Sequence, residues 1–467
     1  MTSRARLRAA AARILERAIG AAEPGRLIRS ELRVRGRQLE VAGVRHPLDR
    51  GRIALVAVGK AGVAMARAAE EKLGARIEGG LVVTTEETSL ERLRVRTAGH
   101  PVPDARGLAA ASEVESLARG LGRHDLLLVL LSGGASALLP APSEGVTLAD
   151  KALTTSLLLR SGASIHELNA VRKHLSRLKG GGLAGAAWPA RVVALVLSDV
   201  VGDDLSTIGS GPTAPDPTTF GEALAVLERR GVISEVPRAV RDRLARGARG
   251  ELDETPKPGA ATLRRVATRV VGSGRISVLA AAREARRIGL RPVVLTTRLE
   301  GEAREAARVL VAILREAVER ARPGSAPVCL LAGGETTVTV RGSGRGGRNQ
   351  ELAVAAATAL EAFPTAAVVA SLATDGVDGA SDGAGGIVDD TTTARADRLG
   401  LAPAAAFLAA SDTRNYLGPL GDLILTGPTG TNVADIVILL ATPPTRKGYN
   451  ARSLPGGHIE PGSRRRP

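Results

Sequence analysis

The chain of 467 residues carries a net charge of +16, and 44% of its residues are apolar although only 1% are aromatic. At roughly 150 residues per domain, this length predicts two domains instead of a single core. The single cysteine, Cys329, excludes an internal disulfide framework and a cysteine-based metal cluster. No stretch approaches the roughly 20 apolar residues of a membrane-spanning helix and no signal peptide is evident, so we expect a cytoplasmic α/β protein without membrane contact.

The positive charge is concentrated at the two ends of the chain. Residues 1–52 contribute +8 and residues 443–467 contribute +5, which leaves +3 for the remainder. Because aromatic side chains are so few, the sequence offers no stacking platforms for single-stranded nucleic acid, and its basic residues follow no recognisable reading motif. We therefore interpret the charge mainly as solvated surface and expect no specific nucleic-acid partner.

Short Val/Leu-rich runs alternate with Ala-rich helical patterns, which is typical of βαβ units. The chain begins with a predicted amphipathic helix, on which Leu7, Ala11, Ile14 and Ala18 share one face. A first block of strands and helices follows from "RIALVAVGK" to "RVVALVLSDV", and a second extends from "VATRVVGSG" to "ADIVILL". These blocks predict two α/β domains with largely parallel sheets covered by helices and an active site in the inter-domain cleft.

The polar stretch "RGARGELDETPKPGA" between the blocks is the best linker candidate, because it is rich in Gly and Pro. We predict a first domain over residues 1–250 and a second over residues 261–442. The remaining residues, 443–467, are predicted to be a disordered tail, since their composition cannot form a core. A monomer or a homodimer is expected.

Six predicted strands each end in glycine, hydroxyl, amine or carboxylate groups. These ends are Gly59–Lys60, Ser132–Gly134, Ser198–Asp199, Gly272–Gly274, Gly333–Glu335 and Thr374–Gly376. Ligands of open parallel sheets bind beyond the carboxyl ends of the strands, where glycines let backbone N–H groups approach phosphate oxygens. An ammonium at Lys60 could neutralise a phosphoryl group, and carboxylates there could hold Mg²⁺. Each carboxylate alone is as well explained as a helix cap or turn former.

The stretch "RGSGRGGRNQE", Arg341 to Glu351, predicts a glycine-rich turn from a strand into a helix. Gly342, Gly344 and Gly347 satisfy the spacing of a dinucleotide fingerprint, but the acidic residue nearest the expected spacing, Glu361, lies inside the helix pattern, so that interpretation is weak. No Walker loop occurs in the chain. Arg348 offers a planar fork that suits a carboxylate or phosphate ligand.

Taken together, these stretches resemble the glycerate 2-kinase family, whose C-terminal part is called the MOFRL domain. The resemblance is carried by segments such as "AVGKAGVAMA", "LLLVLLSGGASALLPAPSEGVTLADK", "NAVRKHLSRLKGGGLA", "SDVVGDDLSTIGSGPTAPDPTTF" and "GGETTVTVRGSGRGGRNQELA", within residues 55–441. It implies ATP-dependent phosphorylation of D-glycerate at the 2-hydroxyl, with Mg²⁺ or a similar divalent ion.

The family's active-site residues correspond to Lys60, Arg348 and Asp199, for which we predict catalytic roles. Asp199, Glu335 and Asp375 are the candidate metal ligands. The predicted substrate- and nucleotide-binding residues are Ser132, Gly133, Gly134, Ser136, Ser273, Gly334, Glu335, Gly346, Gly347 and Asn349.

The sequence departs from the family pattern at Ala135, where members commonly carry glycine, at Gly274, where they carry asparagine, and in "SDTRNYL", where theirs is more aromatic. A methyl group at residue 135 would hinder phosphate approach if that backbone had positive φ. Two alternatives stay open at this point. One is a hydroxypyruvate or tartronate-pathway reductase that uses NAD(P)H, and the other is a non-catalytic basic protein that binds nucleotides or nucleic acid.

Overall fold

The structure is a computed structural model that describes residues 2–444. It begins with helices α1 (Ser3–Ala21) and α2 (Pro24–Glu31), followed by a small antiparallel sheet of β1 (Arg33–Arg35), β2 (Gln38–Val41) and β3 (Val44–Pro47). Leu7, Ala11, Ile14 and Ala18 of α1 are buried, which confirms the predicted amphipathic helix. The predicted tail lies outside the described residues, apart from its first two.

The first large sheet is parallel throughout. Its strands are β4 (Ile53–Val58), β5 (Ile77–Thr84), β6 (Arg94–Thr97), β7 (Leu126–Leu131), β8 (Arg191–Leu197) and β9 (Val266–Gly272), arranged in the order β6-β5-β4-β7-β8-β9. Every residue of β4 and β7 is buried, as expected for central strands whose two faces are both covered. Alanine, leucine and valine supply nearly all of this core.

The helices of this first domain are α3 (Gly62–Leu73), α4 (Ala105–Arg119), α5 (Ala135–Leu138), α6 (Leu148–Arg160), α7 (Ile165–His174), α8 (Gly182–Ala187), α9 (Phe220–Arg229) and α10 (Arg238–Ala248). The chain moves outward from β4 to β6 and then returns to β7 on the other side of β4. The loops after β4 and β7 therefore diverge at this reversal of strand order, which creates a crevice suited to ligands.

The second sheet has the order β10-β11-β15-β12-β13-β14. In chain order its domain comprises α11 (Gly274–Arg287), β10 (Arg291–Leu299), α12 (Ala303–Glu319), β11 (Val328–Gly334), α13 (Arg348–Ala359), β12 (Ala367–Ala373), β13 (Gly385–Asp389), α14 (Thr392–Arg398), α15 (Ala404–Ala409), α16 (Thr413–Leu417), β14 (Leu423–Ile424) and β15 (Asp435–Ala441). Two α/β domains are thus confirmed. The largely parallel arrangement holds for the first sheet, whereas in the second only β10 and β11 pair in parallel.

The strand pairing and helix packing shift the predicted domain boundaries. Strand β9, which was expected to open the second domain, pairs with β8 of the first sheet. Helix α1 was assigned to the first domain, but it packs on α11, β12 and β15 of the second. Part of the N-terminal charge is also not simply solvated, because Arg4 and Arg8 form ion pairs with Asp390 and Asp389. Periodicity identified these elements correctly but carried no information about which sheet they join.

Among residues 2–444, no helix is both long and apolar enough to cross a membrane.

Candidate active site

Lys60 lies on the turn that joins β4 to α3. Its backbone N–H donates to the carbonyl oxygen of Gly133 at 2.9 Å, and the N–H of Ala61 donates to Ser132 Oγ at 3.0 Å. Gly59 has φ +125°, and a Cβ there would lie only 2.2 Å from Ser132 Oγ. The side chain of Lys60 is exposed. Ser132 is 1% exposed and thus fixes this turn from within, instead of facing a ligand as predicted.

The loop after β7 brings three segments of the first domain together. A Cβ at Gly133 would lie 2.1 Å from Asp199 Oδ2, and one at Gly134 would lie 3.1 Å from His100 Cδ2 and 3.6 Å from Lys60 Cγ. Both glycines therefore allow a close approach that a larger residue would block. Positive φ occurs at Gly134 (+89°) and not at Ala135, so the methyl group at the departing position is tolerated.

Asp199 follows β8 and is half-buried. Burial raises the pKa of its carboxyl group; the nearby charge of Lys60 opposes this rise, and that of Asp375 adds to it. Asp375 belongs to the second domain, at the end of β12. Asp199 therefore lies within electrostatic range of one predicted site residue from each domain.

The second domain contributes carboxylates through the register of its sheet. Asp435, the first residue of β15, pairs with Gly334 at the end of β11 and with Ala373 at the end of β12. Because β15 is antiparallel to both neighbours, its start lies between their ends. Glu335 immediately follows β11, and Asp375 lies two residues after the end of β12. Burial raises the pKa of Glu335, and the charges of Asp435, Asp199 and Asp375 raise it further against the opposing effect of Arg348.

Arg348, the first residue of α13, is held by two of these carboxylates. Its Nε and Nη2 donate to Asp435 Oδ2 and Oδ1 at 2.6 and 3.0 Å, and its Nη1 lies 2.8 Å from Glu335 Oε1. Burial alone would lower the pKa of Arg348, but the hydrogen bonds and charge of Asp435 raise it. Sequence reasoning missed Asp435, although it begins the apolar run in "ADIVILL", the stretch that ends the second predicted block.

The glycine-rich turn before α13 serves packing more than ligand binding. Cβ atoms at Gly346 and Gly347 would lie 2.1 Å from Thr413 Oγ1 and 2.4 Å from Asp378 Cγ. The carboxylate of Asp378 accepts from the backbone N–H groups of Asn349 and Gln350, so the start of the helix is already capped. Burial raises the pKa of Asp378 to about 6.

The prediction that Asn349 binds a ligand is corrected by its burial, since it is 1% exposed. Its side-chain amide nitrogen donates to Asp378 Oδ1, and its oxygen accepts from Ser371 Oγ. Ser273 is also buried at 1% exposure, and it caps α11 by accepting from the N–H of Ile276. These two polar groups hold the local backbone in place.

A cavity of about 810 Å³ lies between the domains, and we call it the cleft. Its lining includes Asp199 and Asp204 from the first domain and Glu335, Gly346, Gly347 and Arg348 from the second. Gly334 and Gly274 line a neighbouring cavity of about 450 Å³ that shares Asp199. An asparagine at position 274, as in other family members, would place its Cβ 2.8 Å from the carbonyl oxygen of Val433, so the neighbouring backbone would have to shift.

The candidate metal ligands fit a phosphate-bound Mg²⁺ better than a site built from protein alone. Within residues 2–444, no group of three or more His, Cys, Asp or Glu residues is arranged to hold a metal ion. The charge of Asp375 nevertheless raises the pKa of Asp199, and the charges of Asp199 and Asp375 raise that of Glu335, so these carboxylates lie close enough to interact. Mg²⁺ at phosphate sites commonly uses one or two carboxylates, with water and phosphate oxygens completing its shell.

A second cavity, of about 440 Å³, lies on the other side of the loop that contains Gly134. Its lining includes Ser136, one of the predicted residues, together with His100, Lys151, Arg172 and Lys179. We call it the basic pocket. Sequence reasoning overlooked its three strongly basic residues, although "LADK" and "RKHLSRLKGG" lie in the segments that carry the family resemblance.

A parallel sheet with cationic and acidic groups at its carboxyl edge, facing carboxylates of a second domain across a cleft, defines the class of two-domain α/β enzymes acting on anionic substrates. Residues 10–245 match the family model described as a domain of unknown function (DUF4147), and residues 328–435 match the MOFRL family. The chain belongs to the glycerate kinase family that combines these two regions.

Several relatives extend over most of this chain. It is 42% identical to a glycerate 2-kinase of Pyrococcus horikoshii over 92% of this chain and 96% of the relative. Identity with a D-glycerate 2-kinase of Thermotoga maritima is 45%, over 84% and 91% of the two chains. A putative hydroxypyruvate reductase of Agrobacterium vitis is 42% identical over 84% and 87%.

The fold matches a solved glycerate kinase structure as well. The crystal structure of glycerate kinase from Thermotoga maritima superposes with a TM-score of 0.83 at 41% identity, covering 93% of this chain and 99% of that one. The architecture and the family therefore agree.

Proposed function

We propose that the protein transfers the γ-phosphoryl group of ATP to the 2-hydroxyl of D-glycerate, giving 2-phospho-D-glycerate and ADP. The observation that supports this proposal is that Asp199 and Arg348 line one inter-domain cleft, with Lys60 close enough to Asp199 to affect its pKa. The names of the relatives with which most of the chain aligns support the same activity.

The residues divide the chemistry between proton transfer and charge stabilisation. The acceptor hydroxyl oxygen attacks the γ-phosphorus, the bond from that phosphorus to the ADP oxygen breaks, and the hydroxyl proton leaves. Asp199 suits the role of proton acceptor, because its raised pKa lies closer to the working pH than that of a solvated carboxylate. Lys60, whose side chain is exposed, would stabilise the negative charge of the transferring group.

Arg348 is a fixed anion-binding group in this scheme. Asp435 and Glu335 hold its guanidinium in one orientation, yet part of its N–H donors remains available to a phosphate or carboxylate oxygen. Mg²⁺, when bound, would neutralise phosphate charge. Asp199, Glu335 and Asp375 are the residues that would hold it.

The reductase alternative is supported only by the names of two relatives. Glycines 342, 344 and 347 approach neighbouring backbone and side-chain atoms, and Asp378 occupies the amides that would receive a pyrophosphate. A non-catalytic basic protein would bind nucleotide or nucleic acid without turnover. The predicted cytoplasmic location and the monomeric or dimeric state remain predictions.

A coupled assay tests the proposal. Purified protein, ATP, Mg²⁺ and D-glycerate should yield ADP and 2-phosphoglycerate, identified by chromatography or by ³¹P NMR. Exclusive formation of 3-phosphoglycerate would reject the position of transfer. Oxidation of NAD(P)H with hydroxypyruvate, in the absence of ADP formation, would instead establish the reductase. Binding of DNA or RNA that weakens with salt, with neither reaction observed, would support the non-catalytic alternative.

A further inference from the structure

The basic pocket brings together three cationic side chains from separate segments. Lys151 lies on α6, Arg172 on α7 and Lys179 in the loop before α8. Lys151 and Lys179 are 7% and 4% exposed, and Arg172 is half-buried. Apolar residues such as Val102, Pro140 and Leu159 complete the wall.

Among residues 2–444, these cations have no carboxylate partner. In the part of the chain that the structure describes, neither lysine nor Arg172 lies within ion-pair distance of an Asp or Glu. Lys151 Nζ donates to the carbonyl oxygen of Pro140 at 2.5 Å, and Lys179 Nζ donates to Ser136 O and Oγ at 2.8 and 3.2 Å. Lys173 on α7 is the counterexample, because its Nζ lies 3.2 Å from Asp216 Oδ1.

Burying a charge without a counter-charge opposes folding, so such a cluster calls for a physical reason. Burial, with the nearby charge of Arg172, lowers the pKa of Lys179 to about 7, and burial also lowers that of Lys151. An anion in the pocket would supply the missing counter-charge. The cluster is therefore better explained by binding of a negatively charged ligand than by a contribution to the stability of the fold.

The pocket adjoins the predicted reaction centre through one loop. Gly134 and His100 line it, and the position of a Cβ at Gly134 is 3.6 Å from Lys60 Cγ. The preceding residue, Gly133, faces Asp199 instead. A molecule in the basic pocket thus lies on one side of the Gly133–Gly134 loop, and the cleft lies on the other.

We propose that Lys151, Arg172 and Lys179 form a subsite that binds an oxyanion group of a kinase reactant. The identity of the reactant rests on the proposed function. Two sources carry this chemistry, the phosphate chain of the nucleotide and the carboxylate of the acceptor. The presence of several cations without any facing carboxylate favours the phosphate chain, since a single carboxylate would balance only one of them.

Equilibrium binding separates the two sources without requiring turnover. Titration calorimetry with the ATP analogue AMP-PNP and, separately, with D-glycerate should be compared for the wild type, Lys179→Met, Arg172→Gln and Lys151→Met. We expect each substitution to raise the Kd of AMP-PNP about tenfold or more, as expected for losing a charged partner of a phosphate. A tenfold rise in the Kd of D-glycerate, with the Kd of AMP-PNP unchanged, would assign the subsite to the carboxylate. Unchanged Kd values for both ligands in all three variants would overturn the proposal.

Two controls show whether charge or structure is responsible. Arg160→Gln removes an exposed arginine from the same helix as Lys151 and should leave both Kd values unchanged. Lys179→Arg keeps the charge and should retain most of the affinity. Lys179→Met should also melt no earlier than the wild type, whereas Lys173→Met should melt earlier because it removes the lysine that balances the buried carboxylate of Asp216. An earlier melting of Lys179→Met than of Lys173→Met would contradict a ligand-binding role.

Sulfate provides a probe that does not depend on the reaction. Sodium sulfate should raise the melting temperature of the wild type more than sodium chloride of equal ionic strength, and the difference should be smaller in Lys179→Met, which keeps only the general stabilisation that sulfate gives by exclusion from protein surfaces. If this result is obtained while the coupled assay yields no ADP, the subsite stands and the proposed function fails. If turnover occurs but neither sulfate nor the substitutions have an effect, the function stands and the subsite fails.

Discussion

The cleft and the basic pocket both contain buried or partly buried cations, but their charges are balanced differently. In the cleft, Arg348 is clamped by Asp435 and Glu335. In the basic pocket, Lys151 and Lys179 donate only to backbone carbonyls and to the hydroxyl of Ser136. A cation paired with a carboxylate contributes to the stability of the fold, whereas an unpaired cation is available to bind an anionic ligand. The two regions should therefore respond in opposite ways to removal of a charge.

Replacing Arg348 with methionine should give the largest effect. Asp435 is 4% exposed, and without Arg348 its carboxylate would be buried and unpaired. We expect the free energy of unfolding to fall by about 3–5 kcal/mol, as when one partner of a buried pair is removed. Chemical denaturation measures the loss. The double variant Arg348→Met/Asp435→Leu should recover much of it, and a single variant as stable as Lys179→Met would erase the contrast between the two regions.

Replacing Lys60 with alanine should affect catalysis without affecting stability. Its side chain is exposed and has no ion-pair partner in the described part of the chain. We expect kcat to fall by about 100-fold or more, the range for losing a group that stabilises transition-state charge. Steady-state kinetics beside a melting curve separates the two quantities. The exposed Lys72→Ala serves as the control, and a near-normal kcat in Lys60→Ala would remove Lys60 from the mechanism.

Gly134→Ala tests the loop that divides the cleft from the basic pocket. Gly134 has φ +89°, and an added Cβ would approach His100 Cδ2 to 3.1 Å. The backbone strain should lower the free energy of unfolding by about 1–2 kcal/mol. Gly145→Ala is the matched control, because Gly145 has φ +77° and no atom within 4 Å of an added Cβ. Both variants should lose similar stability, but only Gly134→Ala should lose turnover; equal turnover would show that this loop tolerates a side chain.

The sequence predicted which candidate residues follow strands, because apolar runs mark the strand ends that meet at one edge of a sheet. Lys60, Asp199 and Glu335 were found in this way. Asp435 was missed because it begins an antiparallel strand, whose place between β11 and β12 depends on long-range pairing. The same kind of pairing placed β9 in the first sheet.

Glycine-rich turns were overinterpreted for a related reason. A glycine permits close approach, but the sequence does not reveal whether the neighbour is a ligand or the protein's own chain. At Gly347 the neighbour is Asp378. The buried lysines were instead overlooked as binding residues. Their burial and their lack of a carboxylate partner depend on the packing of α6, α7 and the loop after β7, which the sequence does not reveal. The local sequence pattern thus predicted the strands, the helices and their ends. Which charges are paired could be determined only from the folded structure.

The smallest predicted effect that distinguishes the basic pocket from the cleft is the pH dependence of anion binding. Lys179, with a pKa of about 7, is largely neutral above that pH and charged below it. Lys151, Arg172 and His100 face it from α6, α7 and the loop before α4. An anion binds the charged form more strongly, so affinity is fully present below pH 7 and declines as the pH rises. Between pH 6 and pH 8 we expect the Kd of sulfate to rise about tenfold.

Sulfate is suited to this measurement because it does not titrate in that range, unlike the terminal phosphate of ATP. Titration calorimetry at fixed ionic strength gives the Kd at each pH. In Lys179→Met binding should be weak at both values, without the decline that the wild type shows. The same decline in the variant would assign the titration to another group, such as Lys151, whose pKa is also lowered. A constant wild-type Kd would mean that Lys179 keeps its proton throughout, so that its charge would be balanced within the fold as that of Arg348 is.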